Sequence, residues 1–343
     1  MSDALKAPAR QPWPATRAPW LASAIVLAWT VLMLLVDTGL YGDNVEQTIW
    51  AHSMEWGYHK HPPLPTWLLG LVTQAFGAAW WWTPVLAALC LLATLWLTWS
   101  IARELLGEQV AAAAVLLWGL LQCFSSRAQL YNHNTVLVLC IALTVWCALR
   151  ASRSKPVWWL GVGLAAGLSM LSKYQAVVPL SGLLVALAWS GRFRQSSQRR
   201  GAVLAVLVAL LVFAPHLAWV ASHDFSTLRY ASQSVESAGI ARRLLFVASF
   251  LVNKLRMILP ALAALGLCLL LARVTRAARR PVTNPVAARP DVQVWLGGLF
   301  WGLLAFLLLL PLLAGINLRN HWGVQTFQFS ALWLAWRWRH SPA

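Results

Sequence analysis

The sequence predicts an all-α protein that crosses a membrane about ten times, with interfacial helices in its outer loops. Three observations carry that reading. The 343 residues are 59% hydrophobic and only 11% charged, with a mean hydropathy of +0.63, against roughly 25% charged residues in a soluble domain. Apolar runs recur at or near the ~18 residues of a spanning helix, more than one soluble core of this size buries. The basic residues also sort by side. The net charge of +17 would point to nucleic acid in a soluble chain. Here it sits in alternate loops, as membrane orientation requires, so the expected partners include membrane lipids and no nucleic acid.

Residues 1–19 carry Lys6, Arg10, Arg17 and four prolines and read as a disordered basic cytoplasmic tail. Trp20 to Val36 follows with no small-residue cleavage pattern, so it reads as an uncleaved anchor that places residues 41–63 outside. Leu64 to Phe76 mixes Pro, Thr and Gln with Leu and Val and suits a helix along the surface. Thr83 to Ile101, Val110 to Phe124 and Thr135 to Leu149 are the next spans. Val157 to Ser190 is too long for one span at ~1.5 Å per residue. It divides at Ser172-Lys173-Tyr174-Gln175, with Lys173 at an outer turn.

Gly201 to Val220 returns outward. The outer segment 221–256 ends in an interfacial helix over 244–256, and Met257 to Ala272, Val294 to Ala314 and Val324 to Trp336 complete the bundle. The transmembrane domain is then 20–338, and 339–343 is a second cytoplasmic tail. With this threading, 18 of the 27 Lys and Arg residues lie inside and nine outside, the sign that the positive-inside rule demands. Fusing 157–190 into one span would reverse the later bias. Many of the 23 Trp residues flank the runs, where indole suits the headgroup region. The five Cys residues read as buried free thiols.

Chemistry concentrates in the first outer loop. Asp43, Glu46 and Glu55 are three of the ten acidic residues, and His59-Lys60-His61-Pro62-Pro63 follows them. Asp43 and Glu46 have the spacing of a capping box for a helix over Val45 to Met54. The same spacing would hold a carboxylate rigidly at the membrane surface, as a general base needs. Lys60 and His61 read as a phosphate site, ahead of a Pro pair that fixes extended backbone, or as a solvated loop against headgroups. His59 and His61 alone are too few for zinc, and a His-x-His site would need Asp43 or Glu46 as further ligands. Lys173 is a charge set in apolar sequence, either functional or snorkelling. Arg127, Arg319 and His321 lie on other outer loops and read as surface charges or as further walls of one cavity. In Tyr131-Asn132-His133-Asn134 an Asn either caps the next helix or binds a sugar hydroxyl.

The order of a long apolar span, Asp43-x-x-Glu46, Trp56-Gly57-Tyr58 and Lys60-His61-Pro62-Pro63-Leu64 resembles the first periplasmic loop of glycosyltransferase family 39. This is the C-type membrane fold of lipid A aminoarabinose transferases and protein O-mannosyltransferases. Gly167-Leu168-Ser169-Met170-Leu171-Ser172-Lys173-Tyr174 and His321-Trp322-Gly323 resemble two further stretches of that family. The resemblance implies an inverting transfer of a sugar from a polyprenyl-phosphate carrier to an acceptor hydroxyl on a lipid, glycan or protein, at the periplasmic face of a bacterial inner membrane, with no cofactor. It implies Asp43 as base and His61 at the carrier phosphate, a role that the adjacent Lys60 can share. With the reading of the residues above, the catalytic candidates are Asp43 and Glu46, and the substrate-binding candidates are His59, Lys60, His61, Arg127, Asn134, Lys173, Tyr174, Arg319 and His321. His61 falls where the aminoarabinose transferases carry a carrier-binding Lys. Asn134 stands where many members have a second acid.

The physical logic agrees. Transfer needs one carboxylate to take the acceptor proton and cations for the leaving phosphate. No phosphate-cradling Gly-rich loop is present for a nucleotide-sugar donor. The competing readings are a lipid or small-molecule flippase, with Lys173 as counter-ion, and an inactive subunit with this fold.

Overall fold

The computed structural model describes residues 14–37, 39–40, 42–125, 127–153, 155–233, 239–274, 290–315 and 322–339. Most of residues 1–19, and 340–343 of the second tail, lie outside them. Among the described residues all regular structure is helical. The helices are α1 (Ala18–Val36), α2 (Gly42–Trp50), α3 (Leu64–Phe76), α4 (Trp82–Leu106), α5 (Glu108–Gly119), α6 (His133–Arg153), α7 (Trp158–Ser172), α8 (Val177–Trp189), α9 (Ser196–Ser222), α10 (Ser226–Ser232) and α11 (Ile240–Val274). After them come α12 (Pro290–Gly297), a π-helical turn Gly298–Gly302, α13 (Leu303–Ala314), α14 (Val324–Phe327) and α15 (Ser330–Arg337). Among the described residues six helices are long and apolar enough to cross a membrane, and four shorter apolar helices accompany them. The chain is an integral membrane protein.

α4 packs on α1, α5 and α6, α6 packs on α7, and α7 packs on α9, while α15 lies on α5. Trp118, Trp159 and Trp295 are fully buried in this bundle, and Trp118 stacks on Phe124 with ring centroids 4.0 Å apart. The outward faces of α9 and α11 expose Leu207, Leu211, Leu267 and Leu271, as lipid-facing surfaces do, since tails are as apolar as Leu.

The two ends of α6 differ in charge chemistry. At its C-terminal end Arg153 pairs with Asp291 (2.7 Å) and Glu104 (3.4 Å), with Arg150 and Arg192 adjacent. At its N-terminal end, His133 and Asn134 stand with the first outer loop.

Three boundaries differ from expectation. Residues 244–256 and 257–272 form one helix, α11, with Pro260 inside it. Lys254, one of the two cations that suggested an interfacial end, is buried over the rings of Phe250 and Phe327 and faces the bundle, while Arg256 stays exposed. Residues 324–336 form two short helices, with the Ser330 hydroxyl donating to the Phe327 carbonyl at 2.6 Å across the break. The run 110–124 closes at Gly119 and ends in a 3-10 turn over Gln122–Phe124. The thiols also divide. Cys90, Cys140 and Cys147 are buried, whereas Cys268 is exposed on α11.

α7 and α9 approach at their backbones. A Cβ at Gly163 would lie 2.5 Å from the Ala205 carbonyl oxygen, and one at Gly167 would lie 2.7 Å from Val212 Cβ. Small residues four apart create such contacts between membrane helices. Gly163→Val should therefore cost about 1–3 kcal/mol through overpacking, read as a lower unfolding temperature in detergent. Gly266→Ala, where nothing lies within 4 Å, should leave that temperature unchanged or raise it.

Candidate functional site

The site is built on α2, which starts immediately after the first span. Its polar residues are spent on neighbouring elements. Asn44 Oδ1 accepts from the Tyr131 backbone N–H at 2.9 Å, and Gln47 Oε1 accepts from the Thr66 hydroxyl at 2.9 Å. The Tyr131 hydroxyl donates to the Pro65 carbonyl at 2.6 Å. α2, α3 and the start of α6 are thereby locked together, and Asp43 and Glu46 are left on the cavity wall.

Asp43 and Glu46 do not form the capping box. The helix begins at Gly42 and stops at Trp50 instead of running Val45 to Met54, because both carboxylates have stronger partners in other elements. Asp43 Oδ2 accepts from Asn132 Nδ2 at 2.8 Å, and Glu46 forms an ion pair with Lys60. Asn132 Oδ1 in turn accepts from the backbone N–H groups of Asn134 (2.8 Å) and Thr135 (3.2 Å). Asn132 is thus the N-cap of α6, and its amide orientation is fixed because only the nitrogen can donate to a carboxylate.

The loop over 51–63 is held from both sides. Tyr58 and His61 exchange backbone hydrogen bonds of 3.1 and 3.2 Å, and Tyr58 stacks on Trp50. Pro63 has helical backbone angles (φ −89°, ψ −16°) and is the N-cap of α3. Pro63 therefore ends the loop at the start of a helix rather than by extending the chain, and Pro65 occupies the first turn, where its missing N–H costs no helical bond. On the other side Gly57 meets the Trp219 indole, which a Cβ would approach to 2.4 Å. His216 Nδ1 donates to the Trp56 carbonyl at 2.6 Å. With that tautomer Nε2 accepts from the Tyr174 hydroxyl at 2.7 Å, and Thr227, 2.7 Å from the same oxygen, donates to it.

The product is a cavity of about 540 Å³ lined by Asp43, Glu46, Lys60, His61, Asn134, Lys173 and Tyr174, with Gln47, Asn132, His133 and Tyr230 beside them. Val177, Val178, Phe306 and Leu310 give it one apolar side. His61 and His133 rings lie 4.1 Å apart. Lys173 is 7% exposed, at the break between α7 and the 3-10 turn Tyr174–Ala176, and donates to Asn134 Oδ1 at 2.9 Å. Burial brings its ammonium down to about 8, and the nearby charge of Asp43 opposes that fall. Lys60 is raised, chiefly by its hydrogen bond to Glu46.

Of the residues expected here, His59 is set beside the cavity, its ring edge-on to Trp50 and Tyr230. Arg127 lines a neighbouring cavity of about 350 Å³ with Gln122, Asn253 and Arg256, and the two cavities share Asn132 and Asn134. Arg319 and His321 lie outside the described residues. Asn132 as the carboxylate's partner, and Tyr230 on the wall, were not assigned from sequence. The polar tetrad 131–134 opening an apolar helix was the available signal for the first, and nothing local marked the second. Among the described residues no three His, Cys, Asp or Glu side chains gather as a metal set.

Residues 60–219 match the family Dolichyl-phosphate-mannose-protein mannosyltransferase. The chain is similar to that family over this stretch, a little under half of its length. Lipid A galacturonosyltransferase RgtD from Rhizobium johnstonii is 27% identical over 206 residues, covering 59% of this chain and 43% of that protein. Undecaprenyl phosphate-alpha-4-amino-4-deoxy-L-arabinose arabinosyl transferase 1 from Pseudomonas fluorescens is 26% identical over 224 residues, covering 59% and 38%. The crystal structure of ArnT from Cupriavidus metallidurans bound to undecaprenyl phosphate superposes with a TM-score of 0.67 at 17% identity, over 93% of this chain and 59% of that one. The chain thus covers less than half the length of these curated relatives and shares the ArnT fold.

The Glu46 pair sets the protonation of Lys60, so Glu46→Gln should lower the lysine's pKa. Lys60 should then react with an amine-acylating reagent at a lower pH than in the wild type. Site-resolved mass spectrometry across a pH series reads the shift, and an unchanged profile would separate Lys60 from Glu46 in solution.

Proposed function

We propose that this protein transfers a sugar from a polyprenyl-phosphate carrier to an acceptor hydroxyl, with inversion, at the periplasmic face of a bacterial inner membrane. The observation that carries the reading is one cavity in which the Asp43 carboxylate, oriented by Asn132, stands with Lys60, His61 and Lys173. The family match and the ArnT-like fold support the same reaction class.

Asp43 acts as the base. It takes the proton of the acceptor hydroxyl as the hydroxyl oxygen bonds to the anomeric carbon. The bond from that carbon to the carrier phosphate oxygen breaks on the opposite face, and its electron pair leaves with the phosphate. The departing group is already an anion and needs cations rather than an acid, a role that suits Lys60 and His61. The apolar side of the cavity suits the carrier chain. Asn132 lines both cavities, so the Arg127 side offers the acceptor a second route toward Asp43.

Asp43→Asn keeps the hydrogen-bonding shape but removes the base. It should lower transfer by about 10²–10⁴-fold, the span of general-base contributions, while carrier binding is retained. Membranes supplied with sugar-labelled carriers read this by movement of label into lipid, glycan and protein fractions. Wild-type rates in the variant would remove Asp43 as base, and no transfer from any donor by folded wild type would favour the inactive-subunit reading.

Orientation has its own test. A reporter fused after residue 50 should lie outside the cytoplasm and one fused after residue 195 inside, read by compartment-specific enzyme activity. The reverse pair would place the cavity on the cytoplasmic face.

A further inference from the structure

The two ammonium groups of the cavity are in different electrostatic states. Lys60 is paired with Glu46, and both side chains are about 30% exposed. Lys173 is buried, and its hydrogen-bond partner is the neutral amide oxygen of Asn134. Among the described residues no carboxylate lies within ion-pair distance of Lys173. An amide takes a hydrogen bond from an ammonium but does not neutralise it, and a buried charge whose counter-charge, here Asp43, acts only from beyond contact is costly. Asn134 is itself buried, and its Nδ2 donates to no described residue although it lies on the cavity wall. Lys173 Nζ and Asn134 Nδ2 therefore form an adjacent cation and amide donor pair, the complement of a carboxylate.

Resting on the transferase reading above, we propose that this pair binds the carboxylate of the donor sugar, so that the sugar carried on the polyprenyl phosphate is a uronic acid. The carrier phosphodiester brings one negative charge, which the half-exposed Lys60 and His61 meet. A second anion on the sugar supplies the contact ion pair that Lys173 lacks. A neutral hexose would leave that ammonium buried without a contact ion pair. An amino sugar would set a second cation against it, the repulsive half of specificity. Lys173 and Asn134 are thus specificity-determining residues, distinct from the base Asp43 and from the phosphate contacts.

The test uses the full chain in lipid nanodiscs with three synthetic donors on one polyprenyl phosphate: a hexuronic acid, the corresponding neutral hexose and a 4-amino sugar. Dissociation constants come from quenching of Trp fluorescence, and transfer is followed in parallel. Wild type should bind the uronate most tightly. Lys173→Gln should weaken uronate binding by about 10- to 100-fold, the range for losing a hydrogen bond to a charged group, and change the neutral donor far less. Asn134→Asp supplies Lys173 with an internal counter-ion. It should lose uronate binding and gain in relative preference for the amino sugar, an opposite shift that a folding defect does not produce. Equal weakening of all three donors in Lys173→Gln would assign Lys173 to the phosphate or to structure and overturn the proposal. A wild-type preference for the neutral or amino donor would do the same. Tight, Lys173-dependent uronate binding without transfer of any sugar would uphold the carboxylate site and count against the transferase reading.

Discussion

One side chain joins the fold to the chemistry. Asn132 accepts two backbone N–H groups at the start of α6 and donates to Asp43. Its oxygen satisfies donors that a helix N-terminus otherwise leaves unpaired. Its nitrogen can only donate, so the carboxylate is drawn to it. The position of Asp43 is then set by α6, which packs on α4 and α7 in the middle of the bundle. A carboxylate on a short surface helix thereby acquires the rigidity of the membrane core.

A second layer of constraint fixes the loop that carries the cations. Gly57 allows the Trp219 ring to lie against the backbone, and His216 holds the Trp56 carbonyl. Tyr58 stacked on Trp50 closes the other side. Lys60 and His61 thus stand between two packed helices rather than on a free loop. Residues belonging to α2, the loop, α6, the α7–α8 break and α10 meet at one cavity. The charges differ by design of their surroundings. The hydrogen bond to Glu46 raises the Lys60 ammonium above its ordinary range, while burial brings Lys173 down to about 8.

The uneven reading of boundaries follows from the same physics. A polar residue in an apolar run has two readings, a helix leaving the membrane or a helix turning that residue inward. Lys254 and Arg256 suggested the first, and α11 continues through both, with Lys254 packed inside the bundle. The Asp43–Glu46 spacing suggested mutual capping. The two carboxylates found Asn132 and Lys60 instead, because a charged partner and an oriented amide outcompete the local backbone. Pro62-Pro63 suggested extension, yet Pro63 has helical angles and caps α3, whose first turn accepts Pro65 because a proline there loses no hydrogen bond.

By itself the sequence determined the class of the protein, the approximate number and order of apolar segments, and the residue types of the site. These depend on composition and on the length of apolar runs, which the solvent reads residue by residue. Asp43, Glu46, Lys60, His61, Asn134, Lys173 and Tyr174 were all legible as polar groups in apolar surroundings, and the structure gathers them in one cavity. Only the tertiary structure decided which of them pair. Asn132 and Asp43 are 89 positions apart, and Lys173 and Asn134 are 39 apart. No periodicity of a single helix encodes contacts at such separations. They arise where helices pack, and there the choice between a carboxylate and an amide beside one lysine sets the charge of the site.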